Sequence, residues 1–372
     1  MEQLIIISYA FLFLLFLKIL KVISSVKKCI FTSFGKENSK EIKLPKINLV
    51  VVCRNEEKRL NYLLASDLSF FNEIILIDDN STDQTLSIMK NYKKISPYKI
   101  HIFKNPRLFE GKIINSKAGA LEFFREKYSS NCEYVFFCDA DISFLPNRYF
   151  FQKIQFRKNV VYTFLPKYKV TYWWEKVWLP LFLTLCFLEY RFYISKTQMP
   201  ILGFAWIIHK KILKYAFTPL DIKASITEDY VISRNLLQNG VQIKMIDGSS
   251  FLSIKCYENM KHFLHTSKKG YLQLSYFQRF FIFLLALTFN LIIILNFILL
   301  IHSLLNLKPI LLFLSSLFYL IFIYILYQPA KWIEMKKSWL LVGFLSILLY
   351  LAISLNFLLS RKAIWRGKEI RV

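Results

Sequence analysis

Asp139 and Asp141 stand one residue apart at the end of Tyr134-Val-Phe-Phe-Cys-Asp-Ala-Asp-Ile-Ser-Phe-Leu145. The apolar run before them suits a buried central strand. In extended backbone alternate side chains share a face, so the two carboxylates point the same way. Paired carboxylates repel, and burial penalises their charge. A hard divalent cation, Mg²⁺ or Mn²⁺, relieves both problems and bridges to phosphate oxygens. Alone, the pair also fits a solvated turn after a strand.

Further groups could share that chemistry. In Ile77-Asp-Asp-Asn-Ser-Thr-Asp83, Asp78 and Asp79 can accept hydrogen bonds from a base or ribose; the same stretch also reads as an Asx-rich turn before a helix. Gly111-Lys112 offers close backbone approach beside a cation for phosphate, although a lysine there is more often simply solvated. Asp229 opens a helix running from Thr227 to Asn239. The helix dipole favours its ionised form, as a general base requires, and an ordinary helix-start acid looks the same. His209 lies in an apolar stretch and reads as structural. His262 and His265, three apart, could flank a phosphate but read first as solvated or lipid-facing. The six cysteines form no Cys-x-x-Cys pair, so a structural zinc site is not indicated.

The elements that must position these groups alternate. Ile47–Cys53 reads as a strand, Glu56–Leu68 as a helix, and Glu73–Ile77 as a strand. Ser81 and Gln84 fit a capping box opening a helix to about Tyr92. Tyr98–Phe103 reads as a strand, Ser116–Tyr128 as a helix and Tyr134–Cys138 as a strand. Such alternation predicts an α/β domain, a parallel sheet covered by helices on both faces. Its ligands are expected at the carboxyl ends of the strands, where Glu56, Asp78, Asp79, Asp139 and Asp141 fall.

Composition adds a membrane. Of the 372 residues 55% are hydrophobic, more than an ordinary soluble domain carries, and the excess forms long runs at the two ends. Residues 1–25 read as an uncleaved transmembrane anchor, lacking a basic leader and a small-residue cleavage site. Residues 26–46 read as a linker, 47–270 as the catalytic domain, and 280–360 as about three hydrophobic helices: Phe280–Leu305, Pro309–Tyr327 and Trp339–Ser360. Residues 361–372 form a basic tail. Residues 177–194 are apolar but interrupted by Glu189 and Arg191, which suits an interfacial helix over a span. Trp173, Trp174 and Trp178 before it suit either an interfacial belt or core packing.

The net charge of +25 is dispersed beside hydrophobic runs, which points to lipid surfaces and not to nucleic acid. Lys18, Lys21, Lys27 and Lys28 after the first run predict a cytosolic domain, and the several runs predict a multi-pass protein, expected in a plasma (bacterial inner) membrane. One conflict remains: three C-terminal crossings would carry the basic tail to the outer face, against the positive-inside rule, unless one of the three runs is re-entrant or interfacial.

The ordered series Asn55-Glu56-Glu57, Asp78-Asp-Asn-Ser-Thr-Asp83, Gly111-Lys112, Asp139-Ala-Asp141 and Thr227-Glu228-Asp229 resembles, over roughly Ile47–Gly270, family 2 glycosyltransferases of the GT-A fold, which implies a mixed sheet and not a purely parallel one. The resemblance implies a nucleotide-sugar donor (a UDP-sugar) bound through Asp78 and Asp79. It implies a metal on Asp139 and Asp141, Asp229 as base, and donor contacts from Glu56, Lys112 and Asp139. Lys255-Cys-Tyr257, Ser267-Lys268 and Trp365-Arg-Gly-Lys368 resemble the Arg-Met-Tyr, Ser-Lys and Trp-Lys-Gly-Arg of a membrane branch related to carotenoid and hopanoid pathways. That adds Glu228, Lys255, Tyr257, Lys268 and Trp365 as candidates and implies a lipid or other hydrophobic acceptor. Lys255 stands for Arg, and Thr266 stands where that branch has Trp. Processive polysaccharide synthases and ceramide glucosyltransferases carry Gln-x-x-Arg-Trp after the base. The nearest stretch here, Tyr276-Phe-Gln-Arg-Phe280, lacks it, which argues against a polysaccharide synthase. The other alternative is a non-catalytic nucleotide-sugar-binding membrane protein.

Overall fold

The computed structural model describes residues 2–31, 44–106, 116–127, 132–147, 149–194, 201–217, 228–255, 257–272, 275–330, 336, 339, 343, 345–360, 362–365 and 368–371. In chain order the elements are α1 (Glu2–Phe31), β1 (Ile47–Cys53), α2 (Asn61–Leu64), β2 (Glu73–Asp78), α3 (Thr85–Ile95), β3 (Ile100–Lys104), α4 (Ser116–Lys127), β4 (Tyr134–Cys138) and β5 (Ile142–Phe144). Then come β6 (Val160–Leu165), β7 (Lys167–Tyr168), α5 (Trp173–Ile194), β8 (Ala205–His209), α6 (Leu213–Ala216), α7 (Glu228–Gln238), β9 (Gln242–Asp247) and β10 (Leu252–Ile254). The C-terminal part holds α8 (Met260–Leu272), α9 (Tyr276–Leu305), α10 (Pro309–Ala330), α11 (Leu345–Leu359), β11 (Lys362–Trp365) and β12 (Lys368–Arg371).

The main sheet is mixed, in the order β3-β2-β1-β4-β8-β6-β9. β1 to β4 are mutually parallel, β8 is antiparallel to β4, and β9 runs parallel to β6. β1, β2 and β4 are buried along their whole length, which is why they read as continuous apolar runs and not as alternating ones. Val50, Val52 and Phe137 face a cavity shared with α4 and α7. Phe136 points to the other face, into an aromatic layer with Phe71, Phe144, Phe151 and Phe164 at 5.4–6.1 Å. A small sheet, β5-β10-β7, closes that side. This is the expected α/β domain, with apolar helices at both ends.

Two local expectations change. The helix expected over Glu56–Leu68 is one short helix, Asn61–Leu64, preceded by turns. Leu60, Leu63 and Leu68 are buried as their spacing demands, but the turns are held open by contacts to the next loop. Asn55 adopts φ +52°, and its Oδ1 accepts from the Thr82 amide at 2.8 Å. Ser81 does not cap α3. Its Oγ accepts from the Asn55 amide, while Asp83 accepts from the Thr85 amide and hydroxyl at 3.0 and 2.5 Å.

α1, α9 and α10 contain stretches long and apolar enough to cross a membrane: Ile5–Ser25, Tyr276–Leu305 and Pro309–Gln328. α1 continues to Phe31, into the segment read as linker, and meets edge strand β9. α5 lies against α1, α10 and α11. It leaves the domain at Tyr172, and the chain is back in the sheet at Ala205. Of its tryptophans, Trp174 and Trp178 are buried with Tyr257, Phe263 and Tyr350, whereas Trp173 is exposed. Aromatic packing therefore accounts for two of the three.

Candidate active site

Three adjacent parallel strands deliver the first acids together. Cys53 is level with Asp78 across β1 and β2, and Val51 with Cys138 across β1 and β4. The residues just past these strand ends, Arg54, Asp79 and Asp139, therefore leave the sheet along one edge, as expected for a carboxyl-end site. The Asp79 amide donates to Cys53 O at 2.8 Å. Its carboxylate, 2% exposed, faces Arg54 at 3.5 Å and accepts from Asn105 Nδ2 at 2.8 Å. Asp78 Oδ1 accepts from the Ser81 amide at 3.2 Å. Asn80, at φ +56°, turns its amide to Asn105 O. These contacts fix the orientation of both acids.

The second cluster centres on Lys117, on the first turn of α4. Its Nζ lies 2.6 Å from Asp139 Oδ1 and 3.0 Å from Glu228 Oε1. Burial pulls the ammonium down, but the two carboxylates outweigh it and hold the group well above the ordinary lysine range, so it stays charged. Ala118 and Ala120 are fully buried; these small side chains suit a helix lying close on the sheet. Lys117 thus ties the Asp139 turn to the start of α7, where Glu228 and Asp229 lie in the first turn.

Asp229 Oδ1 accepts from the Tyr230 amide at 3.0 Å. A Cβ on Gly203 would stand 3.1 Å from Asp229 Oδ2, so glycine there is what admits the carboxylate. Ser233 fastens α7 to the segment leading into β8: its Oγ accepts from the Ile201 amide at 2.7 Å and donates to Asp229 O. Lys117, Glu228 and Asp229 rim the cavity whose floor is Val50, Val52 and Phe137.

The third cluster centres on Arg59. Its Nε lies 2.9 Å from Glu56 Oε2 and 3.7 Å from Glu258 Oε1, and its Nη1 3.8 Å from Asp141 Oδ2. Glu56 is 1% exposed, and its amide donates to Thr85 Oγ1 at 2.7 Å. Cys138, between sheet and site, is buried, and burial followed by the neighbouring Asp139 pushes its thiol up; it is a core residue.

Sequence reasoning missed Lys117, Arg59, Arg54 and Asn105. Lys117 carried a signal, a charge followed directly by Ala-Gly-Ala-Leu, which leaves it no polar neighbour over the next turn of the helix. Lys112 and Gly111 lie outside the described residues. Tyr257 is not part of the carboxylate clusters; its ring lies 4.9 Å from Phe263 and 5.8 Å from Trp174. Lys255 follows β10 and Lys268 lies in α8, both half-buried. Trp365 ends β11.

Asp139 and Asp141 offer hard oxygen donors on side chains 26% and 14% exposed. Among the described residues no three metal-ligating side chains converge. Carboxylate oxygens are the donor type that Mg²⁺ and Mn²⁺ take, and in such sites substrate phosphates complete the ligand set.

Residues 49–217 match the sequence pattern of glycosyl transferase family 2, and residues 200–372 that of glycosyl transferase family 21. Compared with curated proteins, the chain has no match. Among solved structures, S. aureus TarS is 18% identical over 60% of this chain and 38% of its own length, at a TM-score of 0.35. TarS 1–349 in complex with UDP is 16% identical over 88% of this chain and 96% of that one, at a TM-score of 0.37. Glucosyl-3-phosphoglycerate synthase from Mycobacterium tuberculosis, bound to phosphoglyceric acid, is 13% identical over 63% and 83%, at a TM-score of 0.39. Likeness this low does not bear on substrate. The two family matches support a glycosyltransferase that uses a nucleotide-sugar.

Proposed function

We propose that the protein is a membrane-anchored, metal-dependent, inverting glycosyltransferase that moves a sugar from a nucleoside-diphosphate donor, a UDP-sugar, to a hydroxyl of a lipid-like acceptor. The observation that carries this reading is Lys117 joined at once to Asp139 and Glu228, which sets Asp229 beside the turn of the acidic pair.

Asp78 and Asp79, braced by Arg54, Asn105 and the Ser81 amide, accept hydrogen bonds from the base and ribose. Glu56 and Arg59 close the same end of the donor pocket. A divalent cation held by Asp139 and Asp141 would offset charge on the leaving diphosphate. Lys117 keeps its proton and adds a positive charge at the same place. Asp229, favoured as an anion at the start of α7, takes the acceptor hydroxyl proton as the oxygen bonds to the sugar C1 and the C1–O bond to phosphate breaks. One base and no covalent sugar–enzyme intermediate give inversion. The helices at both ends hold the pocket at a lipid surface, which favours a lipid acceptor over a soluble one.

Membranes containing the protein, supplied with labelled nucleotide-sugars and Mg²⁺ or Mn²⁺ and then extracted for lipid, test this. A discrete labelled lipid is expected, lost with chelator, in Asp139→Ala and in Asp229→Asn. Label found only in water-soluble polymer, or transfer that survives Asp229→Asn, overturns the reading.

A further inference from the structure

We propose that α11 does not cross the membrane but enters and leaves it on the face of the catalytic domain, seating the basic β11–β12 hairpin among the lipid headgroups of that face. The relative depth of each helix follows from three contacts.

α9 leaves the domain at Tyr276 and, at 30 residues, runs about 45 Å. α10 comes back beside it. Asn296 of α9 donates to Ser315 O of α10 at 3.4 Å, and Tyr9 of α1 bonds both side chains, at 2.6 Å to Asn296 and 2.8 Å to Ser315. From Ser315 to Ala330 is 15 residues, about 22 Å of helix, the same axial distance as from Asn296 back to Phe281. α10 therefore ends near the level at which α9 began, on the catalytic face.

α11 is antiparallel to α9 but covers only its first half. Asn290 Nδ2 donates to Ile347 O at 2.9 Å, near the start of α11. Arg279 Nη1 donates to Ser360 O at 2.8 Å, just past its end. Asn290 lies 14 residues into α9, about 21 Å from its start. α11 thus begins at mid-depth and runs back towards the domain. Its 15 residues make about 22 Å, short of the ~30 Å hydrocarbon layer. Next, β11 lies against α8, the helix that joins the domain to α9. α10 thus ends on the catalytic face, and β11 lies on that same face.

Polar groups at mid-depth are tolerated when buried in protein. Asn290 is 2% exposed and Ser346 fully buried; Asn290 also donates to Ala286 O. Charge agrees with packing. The tail carries Arg361, Lys362, Arg366, Lys368 and Arg371 against Glu369 alone. Residues of this kind stay on the cytosolic face and are drawn to anionic headgroups. Three crossings, α1, α9 and α10, put domain and tail on one side, and the conflict in the positive-inside rule disappears.

The test uses full-length, cysteine-free protein in sealed vesicles with single cysteines at Ser96 in the domain, at Leu307 in the α9–α10 turn and at Lys368 in the hairpin, and a membrane-impermeant maleimide. Lys368→Cys is expected to label from the same side as Ser96→Cys, and Leu307→Cys only from the other. Labelling of Lys368→Cys together with Leu307→Cys overturns the proposal. If the cysteine-free chain fails to fold, an epitope after Val372 in the native chain, read by protease protection against an epitope in the α9–α10 turn, decides the same question. A fluorophore on Lys368→Cys should be quenched by headgroup nitroxides at least about twofold more in vesicles of equal phosphatidylcholine and phosphatidylglycerol than in phosphatidylcholine alone. Equal quenching overturns the assignment to anionic headgroups.

Discussion

Lys117 holds two carboxylates from different parts of the chain, and its loss leaves both facing each other. Removing one partner of a buried ion pair costs about 3–5 kcal/mol. The Lys117 side chain is a quarter exposed, so screening brings the expected loss for Lys117→Met to about 2 kcal/mol, read as a lower melting temperature in detergent. Lys117→Arg should recover most of that stability. Transfer should fall about 100-fold in the Met variant, the scale of losing a preorganised charge. The pH dependence has a definite sign. Because the folded-state affinity for the proton is raised, this contribution is complete below the ordinary lysine range and is lost only as pH rises towards the folded value, so it should stay constant through neutrality. Gly203→Ala tests the base more directly. The added methyl meets Asp229 Oδ2 at 3.1 Å, so the carboxylate must shift by a few tenths of an ångström. A base displaced that far should lower kcat about tenfold and leave the donor KM within about twofold; an unchanged kcat would argue that Asp229 does not touch the reacting hydroxyl. The acids were legible in the sequence by their order along the chain and not singly, because each alone also fits a turn or an ordinary helix start. Lys117 and Arg59 were not, since a lysine or arginine in a first turn ordinarily looks solvated. Only the fold shows that each faces carboxylates more than 20 residues away in sequence.

Elements were legible to the extent that burial alone made them. β1, β2 and β4 came through as apolar runs because both faces are covered. The turn after β1 did not, because its form is set by a partner loop: Asn55, Glu56 and Glu57 all bond residues between Ser81 and Thr85. Asp83 is the hub of that exchange. Burial would raise its carboxyl, but the Thr85 hydroxyl and amide and the Glu57 amide together lower it. With the folded value depressed, its stabilisation is present above the ordinary carboxylate range and lost as pH falls through the folded value. Asp83→Ala should therefore cost about 1 kcal/mol at neutral pH, and the gap to the parent protein should close on acidification; a gap that widened in acid would contradict the assignment. Among the apolar helices, the Tyr9 hydroxyl meets both Asn296 and Ser315. Tyr9→Phe should cost about 1 kcal/mol, as interhelical hydrogen bonds in lipid do. The sequence located these helices by hydropathy but not their pairing, which depends on single polar side chains at matching depths.

At the scale of the whole molecule, the sequence reading divides the chain into an anchor, a linker, a domain and C-terminal helices. The structure shows an apolar core that runs across those divisions, with a second cluster where α5, α8, α9, α10 and α11 meet. Phe16 and Ile23 of α1 and Phe318 and Ile325 of α10 belong to the same buried cluster as the strands, and the Phe16 and Phe318 rings lie 5.0 Å apart. Hydropathy cannot reveal this, since a residue facing lipid and one facing the domain look alike in sequence. The consequence is that the domain is not an independent unit. Cutting the chain to residues 44–272 removes α1 from edge strand β9 and α10 from α5. Each large side chain left uncovered forfeits about 1.5–3 kcal/mol of burial, against a total stability of only about 5–15 kcal/mol for a typical domain. The fragment is therefore expected to aggregate or to bind a dye for exposed apolar surface, while the full chain in detergent melts in a single transition. A fragment that stays monodisperse and melts within a few degrees of the full chain would show that the membrane helices only tether the domain. It would then follow that the acceptor reaches the site from solution as readily as from the bilayer. The aggregation experiment therefore bears on the acceptor as well as on stability: a site whose supporting core is built partly from membrane helices has its mouth fixed relative to the lipid surface.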